Sequence, residues 1–224
     1  MLLTLLPQPQ TLHQPPKLPP DGLLAARADL WPHWQLPAPL GPVGLADLVY
    51  PAWFAGRWDA LNWDLDASPA DAPELHYPVR FRSQAPAGVV GDRAFNAEAV
   101  GAALLCDQLL SVDNDPANPN RQLARLRGDQ WLESTVVARR SASNGDRFEA
   151  DELTLQVLHG PGAPRVSRVE TLSSYRREAD GSISGEQWQA TYPSPAEGLV
   201  AQPLRTGHFA LKLRRPGPES RLAK

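Results

Sequence analysis

From Trp53 onward the chain is a succession of short segments with the period-two patterning and the aromatic and β-branched make-up of strands. Strands are expected near 55–66, 78–84, 87–93, 108–114, 120–127, 131–141, 147–158, 165–178, 185–193 and 205–215. The links between them cannot continue a ladder. Asp115-Pro116-Ala117-Asn118-Pro119-Asn120 combines proline with turn-forming Asn and Asp. Ser143-Asn144-Gly145-Asp146 contains Asn-Gly and Ala179-Asp180-Gly181-Ser182 contains Asp-Gly, the dipeptides that favour tight hairpins. Links this short join antiparallel neighbours. One helix interrupts the series: Asn96 is a suitable N-cap for an Ala- and Leu-rich run from Ala97 to Leu105, with Ala99, Ala103 and Cys106 on one face.

The alternation separates two architectures. Phe209, Leu211 and Leu213 alternate with polar or small neighbours, as do Leu153, Leu155 and Val157. Over 165–178, in contrast, Arg168 and Glu170 fall on the same face as Val166 and Leu172, and Thr171 and Ser173 share the other with Val169 and Tyr175. A sandwich hides one clean apolar face, whereas a barrel with a partly polar interior tolerates the mixture. The pattern therefore favours a mainly β, single antiparallel barrel with a cavity; long hairpins extending past the core are the alternative.

Twenty-four prolines in 224 residues are about twice the usual share, and they concentrate before Tyr50. Six lie in the first twenty residues, which cannot form a helix or a ladder. A short helix over Asp21–Asp29 and a Trp31-Pro32-His33-Trp34 stretch follow. The expected organisation is a Pro-rich N-terminal arm over 1–47, a barrel domain over 48–215 and a tail over 216–224. The arm either packs on the domain through its tryptophans or offers them to a protein partner.

Net charge is −3, without the basic footprint of a nucleic-acid binder. The pairs Arg139-Arg140, Arg176-Arg177 and Arg214-Arg215 read as solvated strand ends. Cys106 stands alone in an apolar run and reads as a buried, inert thiol. No transmembrane segment is expected, because no stretch approaches the ~20 apolar residues that span a bilayer. Met1-Leu2-Leu3-Thr4-Leu5-Leu6 is stopped by Pro7 and lacks a basic start, so it makes no complete signal peptide as written.

No reaction is legible. His13, His33, His76, His159 and His208 show no metal-ligand spacing. Asp113 to Asn118 begins like a calcium loop, but Asn118 stands where glycine is needed and Ala124 where glutamate is needed. Nucleophile-elbow, P-loop and dinucleotide glycine patterns are absent. Glu149, Asp151, Glu152 and Glu170 are carboxylates that could pair, but sequence does not give their separation. No catalytic residue and no metal ligand is assigned, and the balance is against an enzyme.

Three stretches carry a resemblance: Tyr50-Pro51-Ala52-Trp53-Phe54-Ala55-Gly56-Arg57-Trp58, Gly91-Asp92-Arg93-Ala94-Phe95-Asn96, and Asp115-Pro116-Ala117-Asn118-Pro119-Asn120-Arg121-Gln122. Together they resemble an uncharacterised family of cyanobacteria and plastids with a lipocalin-like, calycin-type barrel, over about Leu48 to Arg215. The resemblance implies that Gly56 lets the chain turn into the barrel, that Trp58 plugs its closed end under an arginine (Arg214 or Arg205), and that the helix lies across the open mouth. It implies a photosynthetic organism and a thylakoid-lumen or periplasmic location, from which the short leader departs. It carries no catalytic residues.

Barrel mouths are frequent small-molecule sites lined by aromatics, which makes Trp63, Trp131, Tyr175, Trp188 and Tyr192 the candidate ligand-binding residues. The first functional reading is non-enzymatic binding of a lipid- or pigment-like molecule. The others are an assembly factor with a filled barrel, contacting a protein through its arm, and a chromophore lyase or other enzyme.

Overall fold

The structure is a computed structural model that describes residues 22–67 and 74–217. The Pro-rich leader, the apolar stretch at residues 1–6, Asp21, His13 and the tail beyond Gly217 lie outside the described residues. The elements are α1 (Gly22–Asp29), β1 (Gly41–Pro42), β2 (Val49–Tyr50), β3 (Gly56–Asp64), β4 (Leu75–Gln84), β5 (Gly88–Gly91), α2 (Arg93–Leu105), β6 (Leu109–Asp115), β7 (Asn118–Leu126), β8 (Gln130–Asn144), β9 (Arg147–His159), β10 (Arg165–Arg177), β11 (Ile183–Tyr192) and β12 (Arg205–Arg214). The expected strands are thus all present within a few residues. The two-residue strands β1 and β2 carry too short a pattern to be read from sequence.

All pairings are antiparallel, in the order β2-β5-β4-β3-β12-β11-β10-β9-β8-β7-β6, with β1 added against β8. The sheet curls into a half-barrel. Its end strands do not pair with each other; α2 packs on β4 from one side of the gap and on β6 and β7 from the other. The helix starts a turn earlier than the sequence suggests, after Asp92. Asn96 is not its cap. Its side chain instead accepts from the Arg80 backbone N–H (2.7 Å) and donates to the Arg80 carbonyl (3.1 Å), continuing the β4 edge as a strand would. The Asp92 carboxylate takes the Arg80 guanidinium at 2.6 Å and lies 3.4 Å from Arg82. The inward helix positions are Asn96, Val100 and Leu104 rather than Ala99, Ala103 and Cys106. Cys106 is exposed, contrary to expectation: the helix ends at Leu105 and Cys106 takes a positive φ of 52° into a short turn that leads to β6. No helix among the described residues is long and apolar enough to cross a membrane.

Both faces of the sheet are covered. The concave face carries one core, with Phe54, Trp58, Phe81, Phe148, Ile183 and Leu213 at its centre and Tyr50, Trp53, Tyr77 and Tyr175 against it. The convex face carries a second, in which Leu24, Trp34 and Leu36 of the arm bury Leu172, Ala190 and Tyr192. The arm is fastened there by the Leu36–Ala201 bridge and by β1 on β8. The described tryptophans of the arm therefore pack on their own domain: Trp34 is buried, with its Nε1 donating to the Arg27 carbonyl at 2.7 Å.

A bulge explains one departure from expectation. The β8–β9 register shifts between Val136 and Ala138, so Val136 pairs with Thr154 while Arg139 pairs with Glu152, on the same face. The extra residue, Val137, reverses the parity of β8 and turns Arg139 inward instead of leaving it as a solvated rim. Arg139 bonds Glu152 (2.7 Å), the Asn120 Oδ1 (2.7 Å) and the Ala46 carbonyl (3.0 Å). Arg93 at the start of α2 joins the same network through Asp47 and Glu152. Burial by itself would raise the Glu152 carboxyl, but Arg93 and Arg139 outweigh it and hold it below the usual range. This balanced cluster ties the loop before β2, the helix start and β7–β9 together.

Candidate functional site

The closed end is built from the turn before β3. Gly56 has φ +109°, which disfavours a side chain, and a Cβ there would sit 2.6 Å from Arg215 Nη1. The tight approach lets the chain fold over Trp58, which is 1% exposed and donates its Nε1–H to the Phe54 carbonyl at 2.7 Å. The guanidinium over the ring is that of Arg215, 3.6 Å from the centroid, and it donates to the Ala55 carbonyl at 2.9 Å. Arg214 does not cover Trp58: it pairs in register with Asp59 and is exposed, because its position in β12 faces the other way. Arg205 begins β12, at the opposite end of that strand.

Above this plug the concave face and α2 line a half-open cavity of about 350 Å³. Its walls are Ala60 and Asn62 of β3, Leu75, Tyr77, Val79 and Phe81 of β4, Asn96, Val100 and Leu104 of α2, Tyr175 of β10, Gln187 and Gln189 of β11, and Phe209, Leu211 and Leu213 of β12, with Tyr50 at its base. Apart from tyrosines, none of these side chains ionises. Its polar groups are amides and phenols. Gln187 Nε2 donates to Ser173 Oγ (3.0 Å) and to the Tyr175 hydroxyl (3.4 Å). Gly185 gives the Tyr175 ring its seat, since a Cβ there would lie 2.7 Å from Cδ1. Burial raises the Tyr175 phenol above its ordinary value. Burial, followed by the field of Tyr175, raises Tyr77 to about 12 against the opposing effect of its hydrogen bond with Asn62. Both are neutral hydroxyls at physiological pH.

Of the aromatic residues expected to line a site, Tyr175 lines this cavity. Trp63 pairs with Ala210 and faces away from it. Trp188 is on the convex face, stacked on His208 with 5.1 Å between centroids. Tyr192 is fully buried under the arm. Trp131, 45% exposed, stacks on His159 and borders a separate open pocket of about 540 Å³ with Leu110, Asp113, Leu123 and Arg125. Among the cavity residues that sequence reasoning missed are Tyr77 and the amides Asn62, Gln187 and Gln189; the glutamines had a signal in the polar parity of β11, whereas Asn62 shares its face of β3 with Trp58 and Ala60.

The carboxylates also separate. Glu152 faces inward in the arginine network. Asp151 and Glu170, both 0% exposed, lie together on the convex face beneath α1. Glu170 receives Arg27 Nε (2.7 Å), Arg27 Nη2 (2.6 Å) and the Tyr192 hydroxyl (2.7 Å). Neither Asp151 oxygen has a hydrogen-bond partner of its own. Burial first, then the Glu170 charge, raise the Asp151 carboxyl to about 8 against the opposing pull of Arg27. The Asp113–Asn118 segment closes the β6–β7 hairpin, with Asp115 bonded to the Ala117 N–H at 2.7 Å and to Arg121. Among the described residues, no cluster of His, Cys, Asp or Glu has metal-site geometry.

No curated protein and no solved structure matches the chain. Residues 64–213, from the last residue of β3 to near the end of β12, match the model of a family described as Domain of unknown function (DUF6816), and the chain belongs to that family.

Proposed function

We propose that this protein is a binding protein that holds a small, uncharged, lipophilic molecule between the half-barrel and α2. The observation that carries the reading is the cavity itself: about 350 Å³, at the low end of small-molecule sites, walled by aliphatic and aromatic side chains with a few amides and phenols. A filled barrel, as an assembly factor would have, leaves no such space. The absence of any cationic side chain among the lining residues narrows the cargo. A fatty acid or a propionate-bearing pigment would place a carboxylate where nothing offsets its desolvation. A neutral lipophile meets no such penalty.

The test is a titration of the full chain with N-phenylnaphthylamine, an uncharged probe that fluoresces in apolar surroundings, together with mass spectrometry of an organic extract of protein purified from its native host. One saturable site for the probe and a stoichiometric neutral compound in the extract are expected. A probe that finds no saturable site overturns the reading.

A further inference from the structure

Resting on that reading, we propose that the protein docks the open end of its half-barrel on the surface of a neutral phospholipid bilayer. Trp58 stops the cavity at one end, so it opens towards the other, where β3 and β11 end, β4 and β12 begin and α2 terminates. Around that end stand Leu65, Leu104, Leu105, Leu110 and Leu204, each between 44% and 72% exposed. They come from separate segments: Leu65 follows β3, Leu104 and Leu105 end α2, Leu110 lies at the start of β6 and Leu204 precedes β12. The backbone fixes two of them in place, because the Leu65 N–H donates to the His208 carbonyl (2.8 Å) and the Leu204 N–H to the Thr191 carbonyl (2.7 Å). Leu104 also lines the cavity, so the apolar rim is continuous with the apolar interior. A water-insoluble cargo would pass between a lipid phase and the cavity across such a rim without crossing water.

The charges at this end decide what covers the leucines. Asp66, Asp107, Arg127 and Arg205 are exposed on the same links and strand ends, with Asp107 and Arg127 paired at 3.7 Å. A protein closing over the leucines would strip water from these groups, which is costly. The headgroup zone of a bilayer is polar and wet. Leucines enter the acyl boundary there while the carboxylates stay hydrated and the arginines bury only their stems. The balance of sign selects neutral lipid. At the open end the exposed arginines Arg125, Arg127, Arg165 and Arg205 meet a similar number of exposed carboxylates, Asp66, Asp107 and Asp129 among them. The excess of cations is at the closed end, where Arg57, Arg177, Arg214 and Arg215 are exposed. Burial and then the field of Arg177 lower the Arg215 pKa, as befits a surface short of carboxylates. An anionic surface would attract the molecule by that end and leave the mouth turned away. A neutral surface leaves the leucine rim to choose the contact.

The experiment is flotation of the full chain with vesicles of pure phosphatidylcholine. The protein is expected to float with them. Leu65→Glu combined with Leu204→Glu, at two exposed positions outside the cavity wall, should lower the partition coefficient by at least ~10-fold. The same variant should titrate with N-phenylnaphthylamine as the parent does when no vesicles are present, which shows that fold and cavity are intact. Arg177→Gln combined with Arg214→Gln, at the closed end, should partition like the parent. Failure of the parent to float with phosphatidylcholine overturns the proposal. So does flotation confined to phosphatidylglycerol vesicles and lost in the arginine variant, which makes the closed end the contact. A dimer in sedimentation equilibrium that the leucine variant splits, without flotation, assigns the rim to a second copy of the chain and overturns the proposal as well. Flotation by a protein with no saturable N-phenylnaphthylamine site removes the cargo reading instead and leaves the bilayer contact standing.

Discussion

At the scale of single residues, the closed end divides its labour between two neighbouring arginines of opposite parity. Trp58 is enclosed by Phe54, Val79 and Leu213 and capped by Arg215, so its loss opens a large void. Trp58→Ala should cost ~3–5 kcal/mol of unfolding free energy. Arg215 is exposed on its outer side, and Arg215→Ala should cost about 0.5–1 kcal/mol. Arg214→Ala should be near neutral, since that side chain faces solvent. Urea denaturation of the three variants checks the order; an Arg214 effect as large as that of Arg215 contradicts the stacking geometry. The same parity explains which site residues sequence could reveal. Tyr175 was legible because an aromatic on a mixed strand is a natural cavity wall. Trp188 and Tyr192 misled because on β11 the aromatics face the arm and the glutamines face the cavity. Aromatic content identifies the drier face, and here the arm makes the convex face the drier one at that strand.

At the scale of elements, the strands and hairpins were readable because each turn carries its own local chemistry, such as Asn144-Gly145 and Asp180-Gly181. The seating of the arm was not, because it depends on contacts more than a hundred residues apart. Arg27 of α1 reaches Glu170 of β10, and the same guanidinium stacks on Trp34 at 4.7 Å. Beneath this clasp Asp151 of β9 faces Glu170, Arg27 and Tyr192 in a site closed to water. Its carboxyl is held protonated in the folded protein up to about pH 8, whereas the unfolded chain releases that proton in the ordinary carboxylate range. The folded state then binds the extra proton, so Asp151 makes stability fall as pH rises from about 4 to about 8, with no further loss above. Asp151→Asn keeps the shape and removes the titration. Its unfolding free energy should decline less than that of the parent across this window, and it should be the more stable of the two above pH 8. Denaturation curves taken at both ends of the window give the answer; parallel slopes for parent and variant would mean that Asp151 is ionised in the fold.

At the scale of the whole molecule, the half-barrel poses a geometric problem that α2 solves. The curl from β2 to β6 does not close by strand pairing, and the helix that bridges β4 to β6 supplies the missing wall. The sequence pattern announced a partly polar interior, through the mixed strands, but the volume of that interior follows from the seating of α2 and from the parity set by register. The cavity is thus a property of the assembled wall, which makes it separable from stability. Val100 projects from α2 into the space and no hydrogen bond depends on it. Val100→Trp adds bulk where the protein leaves room, so the core gains contacts with little of the strain that overpacking brings to a filled interior. Thermal unfolding of this variant should lie within a few degrees of the parent, or above it, a shift of roughly 1 kcal/mol for a domain of this size. Binding of N-phenylnaphthylamine should weaken by more than ~10-fold, since each 1.4 kcal/mol of lost contact is tenfold in affinity. A variant that loses stability in step with binding would show that the space beside α2 is already filled in solution; one that keeps both would move the probe's site away from the helix.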